Sequence, residues 1–196
     1  VAQLLQHQGV DYLAVAFADE GVLLRERGIT MPVVVLNADA DSFDAMAANR
    51  LEPEIYSLRS LHEFAAAVER YGEQRYPIHV KLDTGMHRLG FVEEELPALL
   101  DALARCGRTV RVASVFAHLC TSDDPAQDDF TRLQIARFDR MSSRIAEALP
   151  YPVLRHTANS AAIERFPEAQ YDMCRLGLGL YGFGFEHNAA LRPVST

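Results

Sequence analysis

Lysine is almost missing from this chain. Lys81 is the only one among nineteen basic residues, and all the others are arginine. Any lysine chemistry within these 196 residues therefore falls to Lys81. Cysteine is also scarce. Cys106, Cys120 and Cys174 are widely spaced, without the paired spacing of a zinc site, so no metal is expected. An odd count suits a reducing cytosol better than a disulfide scaffold. No apolar stretch reaches the roughly eighteen residues of a membrane helix, and VAQLLQHQG does not open like a signal peptide. There is no basic run and no basic patch interleaved with aromatics. With 27 acidic residues the formal net charge is −8, which argues against nucleic acid and anionic membranes as partners. The expectation from composition is a soluble cytoplasmic globular domain, 49% hydrophobic and so able to fill a sizeable core.

What is present is a strand–helix alternation. The segments 10–17, 31–38, 52–58, 77–83, 111–119, 153–158 and 173–182 read as seven strands, several of them continuous apolar runs of the kind buried parallel strands show. Between them lie helical patterns. Leu61, Phe64, Ala65 and Val68 mark one face, Leu96, Leu99, Leu100 and Leu103 another, and Phe138, Met141, Ile145 and Leu149 a third on a long helix. Seven repeats allow an open doubly wound sheet or a closed (β/α)8 barrel, and no glycine-rich dinucleotide fingerprint follows an early strand. The reading adopted is a (β/α)8 TIM-type barrel with seven of its strands, cut upstream of its second strand, with residues 1–196 as one partial domain.

In such barrels functional residues gather at the carboxyl ends of strands. Four ends carry suggestive side chains: KLDTGMHR, FAHL, HTANS and CRLGLG. VKLDTGMHRLGF (80–91) closely resembles the central motif of the alanine racemases. HTANSAA (156–162), RLGLGLYG (175–182) and AVAFADEGVLLRERGI (14–29) resemble further segments of that family, in the family's order. The resemblance implies pyridoxal 5'-phosphate (PLP) as cofactor and interconversion of L-alanine and D-alanine for peptidoglycan. It also implies a homodimer whose active site is completed by the partner's C-terminal β-rich domain.

Carried over residue by residue, the resemblance implies that Arg175 faces the pyridine nitrogen and that Ser160 with the backbone of Gly177 and Leu178 cradles the phosphate. The same resemblance implies that His118 lies against the cofactor ring, that Arg88 serves the phenolic oxygen and the substrate carboxylate, and that Lys81, often carbamylated in the family, supports Arg88. Without the motifs, Arg175 reads as a salt-bridged barrel-end arginine, Ser160 as a helix cap, His118 as a core histidine and Lys81 as a strand lysine snorkelling to solvent. His7, His62, His79, His156 and His187 read as structural or surface residues. His87 stands where the family commonly has glycine. The family's cofactor-bearing lysine and its catalytic tyrosine have no counterpart in residues 1–196, so this segment alone is expected to be inactive. Alternatives are another barrel-type PLP protein (an amino-acid decarboxylase, a PLP-homeostasis protein, a serine racemase), a Schiff base on Lys81 itself, and a non-catalytic PLP-binding module.

Overall fold

A computed structural model describes residues 1–185, 188 and 190–194. It contains six strands, β1 (Leu13–Val15), β2 (Val33–Val35), β3 (Glu52–Ile55), β4 (Tyr76–Lys81), β5 (Val110–Phe116) and β6 (Leu154–His156), which neighbour one another in chain order. β1 pairs with β2, β2 with β3, β3 with β4 and β5 with β6, all in parallel. Helices separate them: α1 (Ala2–His7), α2 (Ala18–Glu26), α3 (Phe43–Ala48), α4 (Leu58–Arg70), α5 (Leu96–Cys106), α6 (Asp128–Ala148) and α7 (Ser160–Arg165). Parallel strands demand such crossovers, and their burial on both faces explains the unbroken apolar runs.

The chain divides into two compact units, one of Val1–Val80 with Pro97–Ala113, the other of Lys81–Leu96 with Ser114–Thr196. In the first, Val33, Val35, Leu61, Phe64, Val68, Ile78 and Val80 are buried in a core that α4 helps to cover. α4 starts where Ser57 Oγ accepts the Ser60 N–H at 3.1 Å, a capping interaction. Arg25 donates to four carbonyls, those of Ile29, Met31, Asn49 and Arg50, at 2.7–3.0 Å, so its charge organises turns. A cavity of about 250 Å³ lined by Arg25, Arg50, Glu52, Glu73, Arg75 and Tyr76 lies in this unit. None of these residues lies in the strand-end segments KLDTGMHR, FAHL, HTANS or CRLGLG. His79, read as structural, is buried with Nε2 2.7 Å from Glu52 Oε2.

The second unit holds every candidate site residue. β5 and β6 pair in register Ser114↔Leu154, Val115↔Arg155 and Phe116↔His156. Leu119, Ile135, Ala158, Ala162, Phe166 and Ala169 form one buried cluster beneath their exits. α6 buries a stripe of Thr131, Gln134, Ile135, Phe138, Met141, Ser142 and Ile145, at helical spacing. Leu149, expected on that stripe, falls just past the helix end in extended conformation.

One expected strand is absent. The segment 173–182 forms an irregular stretch followed by a short 3-10 turn, Leu178–Tyr181. Asp172 and Arg175 each donate one backbone hydrogen bond toward the exit of β6, to Arg155 O and Ala158 O at 3.0 and 2.9 Å. The Gly177 and Gly179 N–H groups turn instead to the Ser160 hydroxyl, both at 3.0 Å. A ladder cannot continue when its donors are diverted, and Gly182 at φ +85° completes the turn. The described strands are therefore six rather than seven, and the parallel α/β class stands.

Candidate active site

Lys81 ends β4, and the chain beyond it makes a closed loop. Phe91 N donates to Lys81 O and Asp83 N to Phe91 O, both at 2.9 Å, so residues 83–91 leave and rejoin the strand at one neck. At that neck only glycine fits position 90. Its φ is +129°, and a Cβ there would lie 2.6 Å from Asp83 N and 2.7 Å from the Leu82 carbonyl carbon. Asp83 Oδ1 accepts the N–H groups of Gly85 and His87, at 2.9 and 3.1 Å, and Oδ2 lies 3.2 Å from His87 Nδ1. Burial acts to raise the pKa of Asp83, but these donors and the nearby imidazole bring it below the ordinary carboxylate value. His87 sits at φ +56° with its side chain 79% exposed and turned to Asp83. The position asks for left-handed backbone, which glycine adopts freely and histidine at modest cost.

The loop presents Arg88, exposed and, among the described residues, without a hydrogen bond or ion pair. Lys81 is only 5% exposed, so it does not snorkel to solvent. Its Nζ lies 5.5 Å from the centroid of the Phe116 ring. The Arg175 guanidinium lies 5.2 Å from the same ring, so one aromatic residue carries two cations.

Arg175 is held firmly. Nη1 is 2.6 Å from His156 Nδ1 and donates also to His156 O at 3.2 Å. Nη2 donates to Ala117 O at 2.7 Å and Thr157 O at 3.0 Å. His156 stacks flat on Phe116, centroids 5.0 Å apart and planes 3° apart. It is a buried histidine, as its structural reading held, but one that supports the site. Spacing in sequence does not pair Phe116 with His156, because strand register brings them together.

His118 follows β5 and is half-buried. Its pKa is pushed down to about 4, first by burial and then by the positive charges of Arg175, Arg88 and Lys81, with Asp123 opposing. The ring therefore stays neutral near pH 7. One residue on, Leu119 O accepts from Asn159 Nδ2 at 3.0 Å, and Asn159 Oδ1 caps α7 through the Ala162 N–H at 3.0 Å. Next to Asn159, the Ser160 hydroxyl accepts from Gly177 and Gly179. Gly179 was not expected here, whereas Leu178 opens the 3-10 turn and is 70% exposed. A Cβ at Gly177 or Gly179 would lie 3.9 or 3.5 Å from Ser160 Oγ, in ordinary contact with the hydroxyl. Among the described residues, no three His, Cys, Asp or Glu side chains form a candidate metal cluster.

The second unit thus gathers three cations, a neutral imidazole and a hydroxyl served by two amide N–H groups around the exits of parallel strands. Such a set concentrates positive charge and hydrogen-bonding groups at the strand ends of a parallel α/β fold. The family model "Alanine racemase, N-terminal domain" matches residues 1–184, and the chain belongs to that family. The alanine racemase of Symbiobacterium thermophilum is 37% identical over 186 residues, covering 93% of this chain and 48% of the relative. A solved alanine racemase of Clostridium difficile superposes with a TM-score of 0.85 at 32% identity, over 93% of this chain and 47% of that one. The alanine racemase of Bacillus anthracis, solved with bound L-Ala-P, gives 0.82 at 29% identity, over 97% and 49%. The chain spans about half the length of the curated relatives it matches.

Proposed function

We propose that this chain is the cofactor-holding part of a PLP-dependent alanine racemase, a cytoplasmic dimer that interconverts L-alanine and D-alanine and supplies D-alanine for the cell wall. The observation that carries the reading is the Ser160 hydroxyl with the Gly177 and Gly179 N–H groups directed onto it, together with the anchored Arg175 guanidinium, beside a neutral His118. It suits a phosphorylated pyridine in charge and in shape, and a Bacillus anthracis relative with bound L-Ala-P supports the substrate class. Among the described residues no helix is long and apolar enough to cross a membrane.

When bound, PLP supplies an aldehyde that captures the substrate amine and a ring that withdraws electron density from the α-carbon. Ser160, Gly177 and Gly179 would hold the phosphate, and Leu178 would line that turn. His118, kept neutral, offers a flat face and adds no positive charge beside the ring. Arg175 would donate to the pyridine nitrogen without surrendering its proton, since a guanidinium stays protonated at any working pH. That restrains electron withdrawal and disfavours transamination. Arg88 would bind the substrate carboxylate, and its fork of donors suits that anion. Lys81, if carbamylated, would present an anion that draws Arg88 inward. Racemisation needs a proton-transfer group on each face of the α-carbon, and neither is assigned within residues 1–196. This segment alone is expected to bind PLP without turnover.

The test is incubation of the full-length protein with PLP and L-alanine, followed by chiral analysis. The expected result is PLP-dependent D-alanine formation, with PLP binding weakened on the order of tenfold in Ser160→Ala, the scale of one lost hydrogen bond to a charged group. Borohydride reduction that fixes PLP onto Lys81, or α-deuterium loss without D-alanine, would overturn the assignment.

A further inference from the structure

α6 does more than cover the sheet. Gln134 is 0% exposed, and all four hydrogen-bonding capacities of its amide are engaged. Oε1 accepts from Cys120 N at 3.2 Å and from Cys120 Sγ at 3.6 Å. Nε2 donates to His118 O at 3.2 Å and to Thr84 Oγ1 at 3.4 Å. The amide orientation follows from chemistry, because Cys120 N–H can only donate and His118 O can only accept. One side chain thus ties the exit of β5 to the loop that follows β4.

Its helical neighbours act on the same loop. Arg137 Nη1 donates to Thr84 O at 3.1 Å. A Cβ at Gly85, which has φ +135°, would come within 3.1 Å of Phe130 Cζ and 3.2 Å of Arg137 Nη1. Phe130, Gln134 and Arg137 follow one another at i, i+4 and i+7, a single helix face. That face grips the loop at Thr84 and Gly85, and Arg88 further along the same loop is exposed.

We infer that Gln134 is a positioning residue that sets His118 and the Arg88-bearing loop relative to each other, and so governs capture of the substrate carboxylate. The inference rests on the proposed racemase reading for its functional part and on geometry alone for its structural part. A buried amide with every partner made is costly to disturb, and the loss concentrates on the groups it joins.

Gln134→Met keeps the volume and removes the hydrogen bonds. Hydrogen exchange on the cofactor-free full-length protein should speed up about tenfold at residues 84–90 and 118–120, while residues 138–148 stay protected, since local opening follows local contacts. In the PLP-loaded protein, KM for alanine should rise on the order of tenfold, with smaller changes in kcat and in PLP affinity. Adding Thr84→Val to Gln134→Met should cost nothing further, because the shared bond is already gone. Uniform acceleration of exchange, or none, overturns the inference, as does a fall in kcat and PLP affinity together with no change in KM. A wild-type protein that neither binds PLP nor racemises would sink the function instead, and the exchange pattern would still judge Gln134.

Discussion

Arg175 and His156 meet at 2.6 Å, guanidinium Nη1 to imidazole Nδ1. A guanidinium can only donate, so Nδ1 must present its lone pair and the proton must sit on Nε2, 2.9 Å from Ser114 Oγ. The imidazole 15N shifts should therefore report the Nε2–H tautomer, and a doubly protonated ring at neutral pH would contradict the arrangement. His156→Phe keeps the stack on Phe116 and removes the acceptor. One N–H of a charged group then loses its partner, and PLP affinity should fall about tenfold.

His118 gives a pH dependence of definite sign. Its pKa in the folded chain is about 4, against 6.5 for the free side chain. Above pH 6.5 both states are neutral and the residue contributes no slope. Between 6.5 and about 4 the unfolded chain binds a proton that folded His118 refuses, so acidification costs stability across that window. Below about 4 the loss levels off. Denaturation midpoints of wild type and His118→Phe, followed from pH 7 downward, should diverge, with the wild type falling faster. Parallel curves would refute the claim.

Much of this was legible in the sequence, and the exceptions have physical causes. Apolar runs and three- and four-residue periodicities located six strands and the main helices because buried parallel strands and amphipathic helices require those patterns. RLGLGLYG misled, since leucine alternating with glycine imitates a strand. Its amide donors serve the Ser160 hydroxyl instead of a ladder. Lys81, Arg88, His118, Ser160 and Arg175 were recognisable as a motif set. Phe116 and His156 depend on cross-strand register, and Gln134 on a helix packing against two strand exits. Spacing along the chain records neither.

The loop after β4 should be sensitive at position 90 and tolerant at 87. A Cβ on Gly90 meets backbone atoms at 2.6 and 2.7 Å, which cannot swing aside. Gly90→Ala should destabilise the protein by about 2 kcal/mol or more. His87→Gly should change stability by less than about 1 kcal/mol, because relief at φ +56° is set against loss of the exposed His87 ring's contact with the largely buried Asp83. His87→Val, β-branched in the same backbone region, should destabilise. Thermal melts of the three variants give the order directly, and Gly90→Ala as stable as wild type would break it.

The phosphate cradle allows a sharper test, since two glycines flank one hydroxyl at different distances. At Gly179 an added Cβ would lie 2.7 Å from Leu176 Cδ1, the movable end of an exposed side chain, and 3.5 and 3.6 Å from Ser160 Oγ and Cβ. Leu176 can turn into solvent, so Gly179→Ala should fold nearly as well as wild type. The new methyl would still occupy space beside the hydroxyl where a phosphate oxygen must come. At Gly177 the corresponding contact is 3.9 Å, ordinary van der Waals distance, and the intrusion is smaller. PLP affinity should therefore decline in the order wild type, Gly177→Ala, Gly179→Ala, with melting temperatures nearly constant. Ser160→Ala, which removes a donor rather than space, should also weaken PLP about tenfold. Titration of each variant with PLP by absorbance gives the order. If Gly177→Ala binds more weakly than Gly179→Ala, or if neither differs from wild type, the phosphate does not sit against Ser160.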